Sequence, residues 1–175
     1  SSFADPNCNG ACDGFATALI TNGTPPYIYI WDDPNNQSNA LASNLCHGTY
    51  NISIIDSNGC TSSTGVTINN PPILNVIISN STNVSCNNNC DGDATALASG
   101  GTGIYTYIWN TVPQQIGQTA TGLCAGNYGL TIVDENGCTD TTSVNISEPL
   151  PISLSTFVTD ANCGLADGTA SVTAT

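Results

Sequence analysis

Apolar positions along this chain recur at every second residue in short runs, and clusters of Gly, Asn, Asp and Pro separate the runs. Tyr27, Tyr29 and Trp31 share one face of a predicted strand, which marks that face as core. Residues 15–20, 40–45, 49–56 and 61–69 read as the neighbouring strands, with residues 21–26 and 32–39 as polar crossings. Pro71-Pro72 then punctuates a boundary. No segment keeps a helical period over ten residues. Short strands joined by Asn-Gly and Asp-Gly turns predict an all-β chain of Ig-like or fibronectin III-like sandwiches.

The pattern is duplicated. Leu45-Cys46-His47-Gly48-Thr49-Tyr50 returns as Leu123-Cys124-Ala125-Gly126-Asn127-Tyr128, and Asn58-Gly59-Cys60 as Asn136-Gly137-Cys138. Matched positions lie 78 apart (46 to 124, 60 to 138), long enough for a small domain per copy. The expected organisation is repeat one over 1–70, repeat two over 71–148, and the first two strands of an incomplete third repeat over 149–175. The tyrosine after each Gly-Thr or Gly-Asn pair has the position of a tyrosine corner, whose hydroxyl ties a sheet-crossing loop to backbone.

The two ends are unequal. Repeat two carries an apolar strand over 73–78 ahead of Cys86, and repeat one lacks its equivalent ahead of Cys8, so its first strand is expected to be missing. A sandwich without an edge strand invites addition of a strand from elsewhere. The third repeat holds such a strand, with Ile152, Leu154, Thr156 and Val158 alternating on one face. Head-to-tail complementation between copies of the chain would give a filament. Direct continuation of a longer tandem array would supply the strand covalently, and the absence of an initiator Met and signal peptide predicts a processed product or a segment of something longer.

Composition narrows the partners. There is no Lys or Arg, against thirteen Asp plus Glu, for a net charge of −13. Nucleic acid and anionic membrane are therefore excluded as partners, and no basic group is available to grip phosphate. No 18-residue apolar run predicts membrane insertion. Calcium could be held by Asp32-Asp33 or Asp91-Gly92-Asp93, but Asp in tight turns is the commoner use, and no metal or cofactor is expected. The single histidine, His47, is Ala125 in the other copy, and no nucleophile-base motif accompanies it, so the chain is not expected to be an enzyme.

Nine cysteines at repeating spacings predict disulfides in an oxidising compartment, with zinc ligation of Cys8-x3-Cys12 as the weaker competitor. Four cysteines per copy allow three pairings. Loop placement in a sandwich favours Cys12 with Cys46 and Cys90 with Cys124, leaving Cys8 with Cys60 and Cys86 with Cys138. Cys163 has no partner in its own copy, which predicts an intermolecular bond or a partner further along.

Cys-Asn-x-x-Cys-Asp-Gly, Gly-Thr-x-x-Tyr-x-Tyr-Ile-Trp, Leu-Cys-Ala-Gly-Asn-Tyr and Asp-Glu-Asn-Gly-Cys resemble the SprB-type repeat, which occurs in tandem in long surface adhesins of gliding Bacteroidetes. The resemblance implies tandem β-domains, extracellular or cell-surface placement and no catalysis. Sugar is a further expectation: Asn22, Asn36, Asn51, Asn80, Asn83 and Asn145 begin Asn-x-Ser/Thr triplets, and Asp140-Thr141-Thr142 is similar to the O-linked acceptor pattern of that phylum, with Thr141 as acceptor. The expected function is a structural subunit of an extracellular fibre, with copies of itself as partner. The alternative is a stalk or carbohydrate-binding segment of an adhesin, with Tyr27 and Tyr29 as glycan contacts.

Overall fold

Strands that alternate apolar and polar residues can bury only one face, and two sheets closed on each other cover both apolar faces. The structure, a computed structural model, describes residues 2–175 and contains no helix among them. Repeat one supplies β1 (Ser2–Ala4), β2 (Gly14–Thr17), β3 (Ile28–Trp31), β4 (Leu41–Leu45), β5 (Gly48–Ile55) and β6 (Thr61–Ile68). Repeat two supplies β7 (Asn75–Thr82), β8 (Gly92–Ser99), β9 (Thr106–Trp109), β10 (Thr119–Leu123), β11 (Gly126–Val133) and β12 (Thr139–Ile146).

Each copy folds as two antiparallel three-stranded sheets. Their orders are β1-β2-β4 and β3-β5-β6 in repeat one, then β7-β8-β10 and β9-β11-β12 in repeat two. Each copy thus sets its first, second and fourth strands against its third, fifth and sixth, the A-B-E against C-F-G division of an Ig-like sandwich without a D strand. The fold is thus all-β, with two Ig-like sandwiches in tandem.

The period-two faces meet in the middle as expected. Trp31, Ile52, Leu45 and Ile68 fill the first core, and Trp109, Ile132, Leu123 and Ile146 fill the second. Each tryptophan ring also donates its indole N–H to a backbone carbonyl, Trp31 to Asn39 at 2.9 Å and Trp109 to Gly117 at 3.0 Å, so its polar edge is satisfied. Tyr50 and Tyr128 donate their hydroxyls to the carbonyls of Cys46 and Cys124, at 3.0 and 3.1 Å. Each therefore ties the loop four residues upstream to its own strand, as a tyrosine corner does.

Gly14 and Gly92 sit where three strands crowd. A β-carbon on Gly92 would meet the carbonyl oxygens of Leu123 and Thr82, each at 3.0 Å, and Ile146 at 2.9 Å. The turn just before each carries an acidic clamp. Asp13 takes the backbone and side-chain N–H of Asn7, Asp91 takes the backbone N–H and hydroxyl of Ser85, and Asp167 takes both N–H groups of Asn162. The same device recurs in all three places.

The copies differ at one edge. In repeat two, Asn75, Val76, Ile77 and Ile78 pair with Ser99, Ala98, Leu97 and Ala96; a bulge follows, and Asn80, Ser81 and Thr82 pair with Thr95, Ala94 and Asp93. In repeat one only the second half exists, as Ser2, Phe3 and Ala4 paired with Thr17, Ala16 and Phe15. The expectation of a wholly missing first strand is corrected accordingly: Ser2–Ala4 supplies its second half, and the positions equivalent to 75–78 fall ahead of Ser1. The partner strand shows the consequence, because β8 runs eight residues while β2 stops after four, at Thr17.

The third segment forms a hairpin of β13 (Leu154–Thr159) and β14 (Thr169–Ala174), whose residues are all exposed. Its register is regular from Leu154↔Ala174 to Thr159↔Thr169. The bulge is absent because this copy is one residue shorter between its prolines and its cysteine (71 to 86 against 149 to 163).

Candidate functional site

Repeat one has a groove of about 370 Å3, lined among others by Leu19, Ile20, Tyr27, Ile54, Thr61 and Thr64. A smaller pocket of about 50 Å3 continues it toward Trp31 and Val66. The matching space in repeat two is filled by Leu74 and Val76, which are 8% and 5% exposed. Covered by them, Ala96 and Ile132 are fully buried, whereas their counterparts Ala18 and Ile54 are only half-buried. Beyond apolar contact, the strand in repeat two is held by polar bonds: Val76 donates its N–H to Asp140 at 2.8 Å, and Gly101 donates to the carbonyl of Pro72 at 3.1 Å.

Position by position, Ile152 and Leu154 correspond to Leu74 and Val76 (152 − 74 and 154 − 76 are both 78). They are 82% and 67% exposed. Thr156 corresponds to Ile78. Val158 falls beyond the bulge, where β1 already pairs with β2, so the groove has room for Ile152, Leu154 and Thr156 and not for Val158.

The cysteines divide into two kinds. Cys12 is bonded to Cys46 and Cys90 to Cys124, each inside its own sandwich next to the tyrosine corner. The expected pairs Cys8–Cys60 and Cys86–Cys138 are not formed. Cys8 is bonded instead to Cys138, across the junction between repeats, and Cys60, Cys86 and Cys163 are free and exposed. The reason is positional: Cys8 precedes β2 at one end of its sandwich, and Cys60 follows β5 at the other. Stacking two sandwiches brings the foot of the first against the head of the second, so the bond can close only between copies.

Polar bonds support that junction. Asn136 donates to the carbonyl of Asn7 at 3.0 Å, and Asn9 and Gly10 bind the linker through the Pro71 carbonyl and the Asn70 side chain, at 2.7 and 2.9 Å. The turn that carries Cys138 is organised by Asp134, which is 5% exposed and receives the N–H groups of Thr102, Asn136 and Cys138. Asp56 does the same for Cys60, receiving Thr24, Asn58 and Cys60. The Cys60 N–H above all holds the Asp56 carboxyl below the usual carboxylate range.

The remaining expected sites are scattered, some exposed and some not. Asp33 is buried, and donors from Gln37 and Asn35 outweigh the cost of burying its charge and keep its carboxyl low, which accounts for it as a turn residue. Tyr27 and Tyr29 are half-buried on the Trp31 face. Asn22, Asn36 and Asn80 are exposed. The Asn51 amide is committed to Asp32 at 2.7 Å, Asn83 accepts the Ser147 N–H at 2.9 Å, and the Asn145 amide faces the Gly126 carbonyl at 3.5 Å. Thr141 is exposed on β12, beside the Asp140 that holds Val76.

Residues 1–36 and 78–114 match the SprB repeat, one segment in each copy. SprB repeats are found in cell-surface proteins, and three disulfides fit an extracellular location. Among curated proteins there is no match. Among solved structures, the amphioxus IgVJ-C2 molecule aligns over 79% of this chain and 98% of its own at 16% identity, with a TM-score of 0.35.

Proposed function

We propose that this chain of SprB-type sandwiches is a structural segment of an extracellular cell-surface fibre, in which sandwiches join end to end by strand complementation or direct continuation. The observation that carries this reading is the match between the groove of repeat one and the exposed Ile152 and Leu154, which occupy the positions of the buried Leu74 and Val76. A strand entering the groove would complete the ladder along residues 18–21 and bury both side chains. The donor is weakly held, since an isolated two-stranded hairpin is marginally stable in water. Exchanging β14 for a six-stranded acceptor therefore costs little.

The contact is heterologous, so repetition extends it without closure. A longer polypeptide that supplies the strand from its own preceding segment gives the same elongated object. The half-buried placement of Tyr27 and Tyr29 supports a core role for them over a glycan-binding one. The acidic, Lys- and Arg-free surface suits a stalk that repels its neighbours sideways and offers trypsin-like proteases no cleavage site.

Light scattering after gel filtration, with negative-stain electron microscopy, tests the reading. The intact chain should give head-to-tail polymers that lengthen with concentration, and deletion of residues 149–175 should abolish them. A compact monomer at every concentration overturns the complementation form.

A further inference from the structure

We propose that Cys86 of one copy of this chain forms a disulfide with Cys60 of the next, the intermolecular equivalent of the Cys8–Cys138 bond. The inference deepens the end-to-end reading above and rests on it. Within the chain, the first cysteine of one sandwich is bonded to the last cysteine of the sandwich that follows. Cys86 is the first cysteine of repeat two and Cys60 the last of repeat one, each displaced by 78 from its bonded counterpart (86 − 8 and 138 − 60). Both are exposed thiols.

The surroundings are already arranged on both sides. At the foot of repeat two, Asn87 donates to the Pro149 carbonyl at 3.2 Å and Asn88 to Glu148 at 2.8 Å. These repeat the Asn9 to Pro71 and Gly10 to Asn70 bonds that shape the occupied junction. Between that foot and the linker lies an open cleft of about 450 Å3, lined by Ser85, Cys86, Asn87, Pro149, Leu150 and Pro151 among others. In the occupied junction the corresponding position, beside Asn7 and Cys8, receives Asn136 and Cys138. On the acceptor side, Asp56 holds Asn58 and Cys60 in the turn that Asp134 builds for Asn136 and Cys138.

A following copy that places Ile152 and Leu154 of its predecessor in its groove therefore brings Cys60 to Cys86. The redox step balances with a disulfide oxidant such as oxidised glutathione. One thiolate attacks a glutathione sulfur and releases glutathione thiolate, the second thiolate displaces the other glutathione, and two protons leave. Each junction would then be held by the strand and by a covalent bond.

The test uses the full chain carrying Cys163→Ser, oxidised in a glutathione buffer. Products are read by non-reducing electrophoresis and by mapping linked peptides with an Asp/Glu-specific protease, because trypsin has no site. A ladder linked through Cys86 and Cys60 supports the proposal. So does its collapse to monomer in Cys60→Ser alone and Cys86→Ser alone, with a single dimer band when those two variants are mixed. Free thiols after oxidation, or bonds joining Cys86 to Cys86 or Cys60 to Cys60, overturn it. Gel filtration under reduction separates this from the parent reading: polymers there with no Cys86–Cys60 bond after oxidation overturn the lock alone, and monomers both under reduction and after oxidation overturn both.

Discussion

Cys8 and Cys138 share one disulfide across 130 residues of sequence, and that bond joins two sandwiches that otherwise touch through a short linker and a few polar contacts. Closing so long a loop restricts the unfolded chain far more than the native one. Replacing both residues by Ser should lower unfolding stability by about 2–5 kcal/mol. Denaturant unfolding should then resolve two transitions in place of a coupled one, because each sandwich keeps its own internal bond.

The crowding at Gly92 predicts a local cost. Gly92→Ala places a methyl group against two backbone carbonyls and Ile146, and should destabilise repeat two by about 1–3 kcal/mol. Ser99→Ala, exposed at the end of the same strand, should stay within about 0.5 kcal/mol. Urea midpoints of the two variants check this.

Acid should weaken the turns. Asp56 is held low chiefly by the Cys60 N–H, Asp91 by the Ser85 hydroxyl and N–H, and Asp167 by the Asn162 side chain and N–H. A carboxyl whose folded pKa lies below its unfolded 3.8 contributes stability above that value and loses it as pH falls through the folded one. In high salt, which screens repulsion among the thirteen acidic groups, urea midpoints should hold flat from pH 7 to about 5 and fall below about 4. Asp91→Ala should show a smaller decline.

Exposure separates donor from core. Ile152→Asp and Leu154→Asp replace exposed side chains and should change the stability of dilute monomer by less than about 0.5 kcal/mol while abolishing polymer. Leu74→Ala, at the corresponding buried position, should cost about 2–5 kcal/mol. Calorimetry on the monomer and light scattering on concentrated samples measure the two effects apart.

Much of this architecture was legible because period-two runs and Asn-Gly turns are local signals. Tyr29 and Trp31 fell on the core face, and Cys12 and Cys90 met Cys46 and Cys124 as loop placement suggested. The Cys8–Cys138 bond is not legible in that way, since it depends on how two copies stack, which no pattern local to one copy records. A signal was present: Cys8 and Cys60 belong to opposite ends of one sandwich, so a pairing within it was strained from the start. The half-strand Ser2–Ala4 escaped notice because three residues carry too little alternation to announce a strand.

Hydrogen exchange at residues 19–21 tests the central claim most directly. Ala18 donates its N–H to the Ala40 carbonyl at 2.8 Å, but in the isolated monomer residues 19–21 lack the strand that Leu97 to Ser99 find in β7, and their amides should exchange fast. Adding a synthetic peptide of residues 149–159 should slow them by at least tenfold, and the same peptide with Asp at positions 152 and 154 should not. Exchange at 19–21 that is already slow in the monomer, or unchanged by saturating peptide, would contradict the account.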